Sequence, residues 1–194
     1  MHVRGRRCHG RVWGRREQSA VAMNDTCAVY KICATKKLLD RVKQPIVELG
    51  DVPSTALGNW HATALFWKPQ VALFVNDWTR LPVFVSLAPA ATLAGRFPDQ
   101  LGRVLEAIGT PSEFVLQEVG AMSEVSYDKT RDRSVVGSMN EFGIMGTRRR
   151  QSRGDDDFVA LSVDLAGTPC GPLQDRHGFP DLEVAAIVVA VLER

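Results

Sequence analysis

The sequence lacks the features that mark disulfide-rich, metal-binding and membrane proteins. Its four cysteines include no C-x-x-C pair, and its four histidines are scattered without a local metal-binding spacing. The longest apolar run, Val184 to Leu192, has nine residues, whereas a membrane-spanning helix needs roughly 20. No apolar segment of a secretory signal follows the charged N-terminus. We therefore expect a cytoplasmic protein with reduced thiols, no cofactor, no metal and no membrane partner.

Charge is unevenly distributed along the 194 residues. Residues 1–22 hold six arginines and one glutamate, a net charge of +5, so the overall charge of +2 leaves −3 for residues 23–194. A slightly acidic domain lacks the broad basic surface typical of nucleic-acid-binding proteins, which disfavours nucleic acid as a partner. We predict that residues 1–22 are a disordered Arg-rich extension that is not native, that Met23 is the natural start, and that residues 23–194 form one domain. A basic nucleic-acid arm and a transit peptide are the alternatives for the extension.

The first half of the chain has the apolar patterning of strands, with one short helix at Lys36 to Val42 behind a Thr35 N-cap. A tight turn at residues 68–70 predicts a hairpin. The predicted strands are Ala28 to Cys33, Trp60 to Trp67, Val71 to Asn76, Pro82 to Leu87, and Val125 to Tyr127.

The apolar period changes to that of helices from Pro89 onward. One or two helices are predicted from Leu93 to Ile108, with Pro98 as a break or as the first turn of a second helix, and another begins after a capping box formed by Thr110 and Glu113. The remaining predictions are a helix from Ser134 to Ile144, an exposed loop or frayed helix end from Thr147 to Asp157, a strand or helix from Phe158 to Leu165, and a helix from Pro180 to Leu192. Hairpins followed by helices indicate an α+β fold, an antiparallel or mixed sheet covered on one face by helices.

The segment from Lys129 to Asn140 is the most informative candidate for a site. It leads a strand into a helix start, where unpaired N–H groups, the helix dipole and nearby cations suit an anion. The predicted anion- or ligand-binding residues are Lys129, Arg131, Arg133, Ser134, Ser138 and Asn140. The alternative is structural: Ser134 caps the helix, Gly137 and Ser138 allow close packing, and the cations pair with Asp128 and Asp132.

A second cluster joins Trp60 and His61 to Asp77 and Trp78. Trp60, His61 and Asp77 can line a cleft in which His61 acts as a general base. In the alternative interpretation the Gly-Asn and Asn-Asp pairs form turns, and each tryptophan fills an end of the core.

Four segments resemble the bacterial family called domain of unknown function 6933. The main one is residues 128–142, with its RSVVGSMNEF core. The other three occur in the same order as in the family: ATKKLL at 34–39, GNWHA at 58–62 and LAGTPCGPL at 165–173. The chain departs from the family pattern at Ala34 for Cys, Asn59 for Asp, His61 for Tyr and Val136 for Leu. The resemblance spans about residues 29–192, and it implies no activity, ligand or catalytic residue.

The first functional interpretation is a domain that binds a small anionic ligand or a protein partner near Lys129 to Asn140, with no catalytic residue assigned. Whether the protein is an enzyme stays open. One rival is a small enzyme acting on a phosphorylated or anionic substrate, held by Arg133, Ser134 and Ser138. Another is a nucleic-acid accessory factor that uses Arg148 to Arg153.

Overall fold

The computed structural model describes residues 29–46, 55–154 and 156–193. The predictions on the Arg-rich extension, on Met23 and on the strand residue Ala28 lie outside the described residues.

A five-stranded mixed sheet forms the centre of a single compact α+β domain, as predicted. Its strands are β1 (Val29–Ala34), β2 (Trp60–Leu65), β3 (Val71–Asn76), β4 (Pro82–Ser86) and β5 (Glu124–Lys129). In space they follow the order β4-β3-β2-β1-β5. Strand β1 is parallel to both of its neighbours, β2 and β5, whereas β2, β3 and β4 form the predicted antiparallel hairpins.

The α-helices of the described residues are α1 (Lys36–Val42), α2 (Leu93–Ala107), α3 (Ser112–Gly120), α4 (Arg133–Arg153), α5 (Phe158–Ala166) and α6 (Pro180–Leu192). Buried residues of α1, α2, α3 and α6 join one apolar core on the first face of the sheet. Buried residues of α4 and α5 join a second core on the opposite face. The segment from Phe158 to Leu165, predicted as a strand or a helix, belongs to helix α5.

Helices cover both faces of the sheet, so the expectation of one covered face is wrong. Strand β3 shows the reason, because all six of its residues are buried. Ala72 and Phe74 belong to the first core, while Val71, Leu73 and Val75 belong to the second. A continuous apolar run is typical of a strand with two covered faces, since a half-solvated strand alternates apolar and polar residues.

Helix α4 differs from its prediction at both ends. Asp132, not Ser134, is the N-cap, and its carboxylate accepts hydrogen bonds from the amides of Ser134 and Val135. The helix continues to Arg153, so most of the segment from Thr147 to Asp157, predicted as an exposed loop or a frayed helix end, is helical.

Two ion pairs stabilise the arginine-rich end of α4. Nη1 of Arg149 lies 2.5 Å from a carboxylate oxygen of Asp164, on α5, and Nε of Arg150 lies 2.5 Å from a carboxylate oxygen of Asp156. Both arginines also donate to backbone carbonyls, those of Asp164 and Lys68. A composition that reads as an exposed loop is therefore compatible with a helix once its cations find acidic partners on neighbouring segments.

Pro98 does not break α2, which runs without interruption from Leu93 to Ala107. Proline has no N–H, so the carbonyl of Ala94 loses its intrahelical donor. The hydroxyl of Tyr30, on β1, donates to that carbonyl at 2.8 Å. A long-range hydrogen bond thus replaces the missing one and keeps the helix continuous.

Neither predicted threonine cap is formed by its side chain. Thr35 is at the N-cap position of α1, but its hydroxyl donates to the Thr63 hydroxyl instead. At α3 the N-cap position is Pro111, one residue after Thr110, and no side chain caps the helix. The capping box predicted for Thr110 and Glu113 is therefore wrong.

We expect two glycine-to-alanine changes in α4 to shift stability in opposite directions. A Cβ at Gly146 would lie 2.9 Å from the ring of Phe84, which is fully buried, whereas a Cβ at Gly137 would meet nothing within 4 Å. Gly146→Ala should lower the free energy of unfolding by about 1–2 kcal/mol, because overpacking outweighs the gain in helix propensity. Gly137→Ala should raise it by about 0.5–1 kcal/mol. Urea denaturation measures both changes, and equal stabilisation by the two variants would contradict the packing of α4 on β4.

Candidate functional site

A crevice opens where the neighbouring parallel strands β1 and β5 end. The helix that follows β1 packs on the first face of the sheet, and the helix that follows β5 packs on the second. When the connections after two adjacent parallel strands go to opposite faces of the sheet, a gap forms at the carboxyl ends of those strands. Open α/β sheets bind ligands at such points. The topology therefore places a candidate binding site here.

Residues of α1 and of both strand ends form the crevice, which has a volume of about 480 Å³. Leu39 and Ile46 form an apolar part of its wall. The polar part is contributed by Thr35, Lys36, Lys129 and Thr130. Small-molecule sites have volumes of roughly 300–1,000 Å³ and combine apolar walls with a few polar groups. The crevice fits that description.

Within the crevice, the ammonium group of Lys129 is available to a ligand. The other lysine, Lys36, is paired with Asp40 at 2.8 Å across one helical turn. For Lys129, by contrast, no carboxylate partner is found within the described ranges, and its side chain is exposed. With two lysines and Asp40 on its walls, the crevice has a net positive charge.

A histidine lies next to the crevice and contacts one of its lining residues. His61, on β2, is only 5% exposed. Its Nδ1 atom is 2.8 Å from the hydroxyl oxygen of Thr130, and its Nε2 atom is 3.7 Å from a carboxylate oxygen of Asp77. The structure thus brings together a hydroxyl, an imidazole and a carboxylate from three separate segments of the chain.

Burial is the largest influence on the pKa of His61, and it lowers that pKa because it disfavours the charged imidazolium. Asp77 and Asp132 oppose the shift, while Arg80 and Lys31 add to it. The net effect is a pKa below the ordinary value of histidine. His61 is therefore a neutral imidazole at physiological pH.

Arg80 is a further buried group beside His61. Its side chain is 11% exposed, it donates to the carbonyl of Asp77, and one terminal nitrogen lies 3.4 Å from the hydroxyl of Ser134. Arg80 has a φ of 59°, in the left-handed region that side chains other than glycine rarely occupy. The turn between β3 and β4 thus directs a guanidinium group toward the start of α4.

The predicted anion site at the start of α4 has fewer open donors than the sequence indicated. Asp132 accepts the amides of Ser134 and Val135 at 2.7 and 3.1 Å. Hydrogen bonds from Val135 and Ser134 lower the pKa of Asp132, so it remains an acceptor. An external anion would have to displace this carboxylate from both amides. A binding role for this helix start therefore stays a prediction without its main physical support.

The six predicted binding residues occupy different environments. Lys129 lines the crevice. Arg131, Arg133, Ser134 and Asn140 are exposed.

Ser138, the remaining predicted residue, is 2% exposed. Its hydroxyl is 3.4 Å from the carbonyl of Ser134 and 4.0 Å from the sulfur of Cys170. Burial raises the pKa of the Cys170 thiol. Ser138 and Cys170 are therefore part of the packing beneath α4, and Lys129 is the predicted residue that the structure places in a cavity.

The second predicted cluster is brought together in part. His61 and Asp77 are neighbours, as a cleft at this position requires. Trp60 is fully buried in the first core and packs edge-on against Phe97 at 4.9 Å, as the alternative interpretation predicts. Trp78 does not fill an end of the core, because it is 61% exposed and lies under the guanidinium of Arg176 at 4.2 Å.

Sequence reasoning did not identify Thr35, Leu39, Ile46 and Thr130 as members of one site. Thr130 lies inside the predicted segment, but its uncharged side chain does not indicate anion binding as Lys129 and Arg131 do. The position of Thr130 directly after a strand is the local signal that was available. No signal in the sequence indicates that β1 and β5 are neighbours.

Comparison with known proteins adds one match. The sequence profile of the family described as domain of unknown function (DUF6933) matches residues 31–183. The chain belongs to the DUF6933 family. The matched segment of this DUF6933 domain includes residues 31–34 of β1, all of β2 to β5, and all residues that line the crevice. No curated protein and no solved structure shows significant similarity to the chain.

Residues 29–46, 55–154 and 156–193 contain no group of three or more His, Cys, Asp or Glu side chains placed to hold a metal ion. No helix among them has both the length and the apolar character needed to cross a bilayer.

Proposed function

We propose that this DUF6933 domain binds a small anionic molecule in the crevice at the carboxyl ends of β1 and β5. One observation supports the proposal above others: the cavity coincides with the point where the connections of two adjacent parallel strands diverge. This position is set by the topology of the sheet and not by a chance gap between side chains.

Lys129 gives the proposal its charge selectivity. Its ammonium group has no carboxylate partner within the described ranges, so it can pair with a phosphate or carboxylate of a ligand. Leu39 and Ile46 offer apolar contact to the rest of the molecule. The proposed ligand therefore combines an anionic group with a small organic body.

Catalysis on an anionic substrate is a second candidate, favoured by the contact of His61 with Thr130 and Asp77. A hydroxyl next to a neutral imidazole has the arrangement of a nucleophile and its base. The arginines of α4 support a nucleic-acid role less, because Arg149 and Arg150 are paired within the domain. A cytoplasmic location in a bacterial host is part of the proposal and rests on the sequence features above.

A ligand screen with a charge variant tests the proposal. Small phosphates and carboxylates at about 10 mM should raise the melting temperature, since a ligand that binds only the folded state stabilises it. Lys129→Ala should weaken binding about tenfold, the effect of losing one charge-assisted contact. Lys37→Ala, which removes an exposed lysine of α1 outside the crevice, is the matched control and should change affinity less than twofold.

Two outcomes would count against the proposal. If no compound shifts the melting temperature, the crevice is not an anion site. If Lys37→Ala weakens binding as much as Lys129→Ala, the anion is attracted by general surface charge and not held in the crevice. NMR spectra of each binding compound over time separate binding from catalysis, because a substrate is converted and a ligand is not.

A further inference from the structure

The hydrogen bond between Thr130 and His61 determines which polar partner the crevice can accept. Thr130 lines the crevice, and its hydroxyl oxygen is 2.8 Å from His61 Nδ1. At the other side of the imidazole, Nε2 is 3.7 Å from Asp77. The Thr130 amide is already bonded to the carbonyl of Ala34. His61 can therefore affect the crevice through the Thr130 hydroxyl, because their hydrogen bond decides whether that hydroxyl donates or accepts.

The position of Asp77 selects one tautomer of the neutral imidazole. A carboxylate near Nε2 favours the form that carries its hydrogen on Nε2, since that N–H is directed toward negative charge. The Nδ1 atom then has a lone pair and accepts a hydrogen bond. Thr130 is the donor of that bond, so its hydroxyl hydrogen points to His61 and not into the crevice.

The charges around His61 come from three separate segments. Asp77 and Arg80 belong to the turn between β3 and β4, Asp132 precedes α4, and Lys31 is on β1. Two acidic and two basic groups face the ring, so their effects on its protonation are opposed. Burial then decides in favour of the neutral form, which the tautomer assignment requires.

From this geometry we infer that the crevice takes a dipolar ligand, whose anionic group meets Lys129 and whose N–H or O–H donor meets the Thr130 oxygen. Thr130 and Lys129 both line the crevice, and the Thr130 oxygen, whose hydrogen is directed to His61, keeps lone pairs that can accept a further donor. The inference rests on the proposed function and narrows it to molecules with both groups, such as amino phosphates and amino acids. Lys129 and Thr130 line the same cavity of about 480 Å³, so both groups lie within the span of a small molecule.

Two probes of equal charge test the role of Thr130. Phosphoethanolamine carries an ammonium with N–H donors, and phosphocholine carries a trimethylammonium without them. We expect phosphoethanolamine to bind about tenfold more tightly, the effect of one hydrogen bond to a charged donor. Thr130→Val should remove this preference and leave the affinity for phosphocholine within about twofold, because valine keeps the shape and loses the acceptor. Thr130→Ser, which restores a hydroxyl, should retain the preference.

The outcomes distinguish this inference from the proposed function. Equal affinity for the two probes, or a preference that survives in Thr130→Val, overturns the donor requirement while the anion site stands. Failure of both probes to bind overturns the dipolar-ligand inference, whereas the anion site itself falls only if every phosphate and carboxylate of the screen also fails to bind. Lower pH should reduce the preference as His61 becomes protonated, because an imidazolium donates to Thr130 and frees its hydroxyl hydrogen.

A measurement without ligand tests the premise itself. NMR of the imidazole nitrogens, assigned by comparison with His61→Gln, reports the protonation state of each ring nitrogen. At about pH 7.5 we expect His61 to be neutral with its hydrogen on Nε2. A hydrogen on Nδ1, or an imidazolium at that pH, would reverse the polarity of Thr130 and overturn the inference.

Discussion

Phe97→Ala should lower the free energy of unfolding by about 3–5 kcal/mol, the range for deleting a fully buried aromatic side chain. The ring of Phe97 is the centre of an aromatic cluster in the first core. Its centroid lies 4.0 Å from that of Phe74 in a stacked arrangement, 4.9 Å from Trp60 and 6.1 Å from Tyr30. Alanine would leave a cavity between β1, β2, β3 and α2 that these large neighbours cannot fill by small movements.

The matched control for Phe97 is Phe66, which is 57% exposed and has the guanidinium of Arg41 5.6 Å from its ring centroid. Phe66→Ala should cost less than about 1 kcal/mol, the contribution of an exposed cation–π contact. Chemical denaturation of both variants, with a check that the slope of unfolding is unchanged, gives the comparison. Similar losses in the two variants would show that the first core is not packed around Phe97.

Asn76→Asp is the second change with a large expected effect. Asn76 is fully buried, and its amide nitrogen donates to the carbonyls of Leu57 and Asn59 at 2.9 and 3.2 Å. Its oxygen accepts the amides of Trp78 and Thr79 at 3.0 and 2.8 Å, and also the Thr79 hydroxyl. One side chain therefore holds together the loop before β2 and the turn after β3.

Aspartate has the shape of asparagine but no N–H donors. In Asn76→Asp a carboxylate oxygen would face the carbonyls of Leu57 and Asn59, which places an unpaired negative charge in the interior. We expect a loss of at least about 3 kcal/mol, as for other uncompensated buried charges. The variant should also disturb the turn that carries Asp77 and Arg80, and with it the nitrogen signals of His61.

Asn140→Asp is the control for this substitution, because Asn140 is exposed on α4. It makes the same chemical change in solvent and should alter stability by less than about 0.5 kcal/mol. Thermal and urea unfolding of the two variants provide the measurement. Equal stability of Asn76→Asp and Asn140→Asp would mean that the hydrogen bonds of Asn76 are not formed as described.

The helices and strands that could be predicted from the sequence are those with a clear local signal. Helix α6 begins at Pro180 and ends at Leu192, as predicted, because proline is favoured in the first turn and an apolar run follows. The hairpin of β2 and β3 was predicted from a turn signal between two strand-like runs. These elements are specified by residues that are close together in the chain.

The helical segments whose prediction failed or stayed open depend on distant partners. Pro98 indicates a break in α2 unless Tyr30 supplies a hydrogen bond to Ala94. The arginine-rich end of α4 resembles a loop unless Asp156 and Asp164 lie beside it. In each case a residue outside the local window supplies the partner that the local pattern lacks.

The same division between local sequence signals and long-range contacts applies to the candidate site. The sequence by itself determined the strand-to-helix segments that end β1 and β5, the family, and the presence of Lys129 at a strand end. Only the tertiary structure decided that β5 lies beside β1, that Asp132 occupies the amides of α4, and that His61 contacts Thr130. Strand order and long-range contacts depend on which apolar faces pack together, and that choice is made by the whole core and not by any single segment.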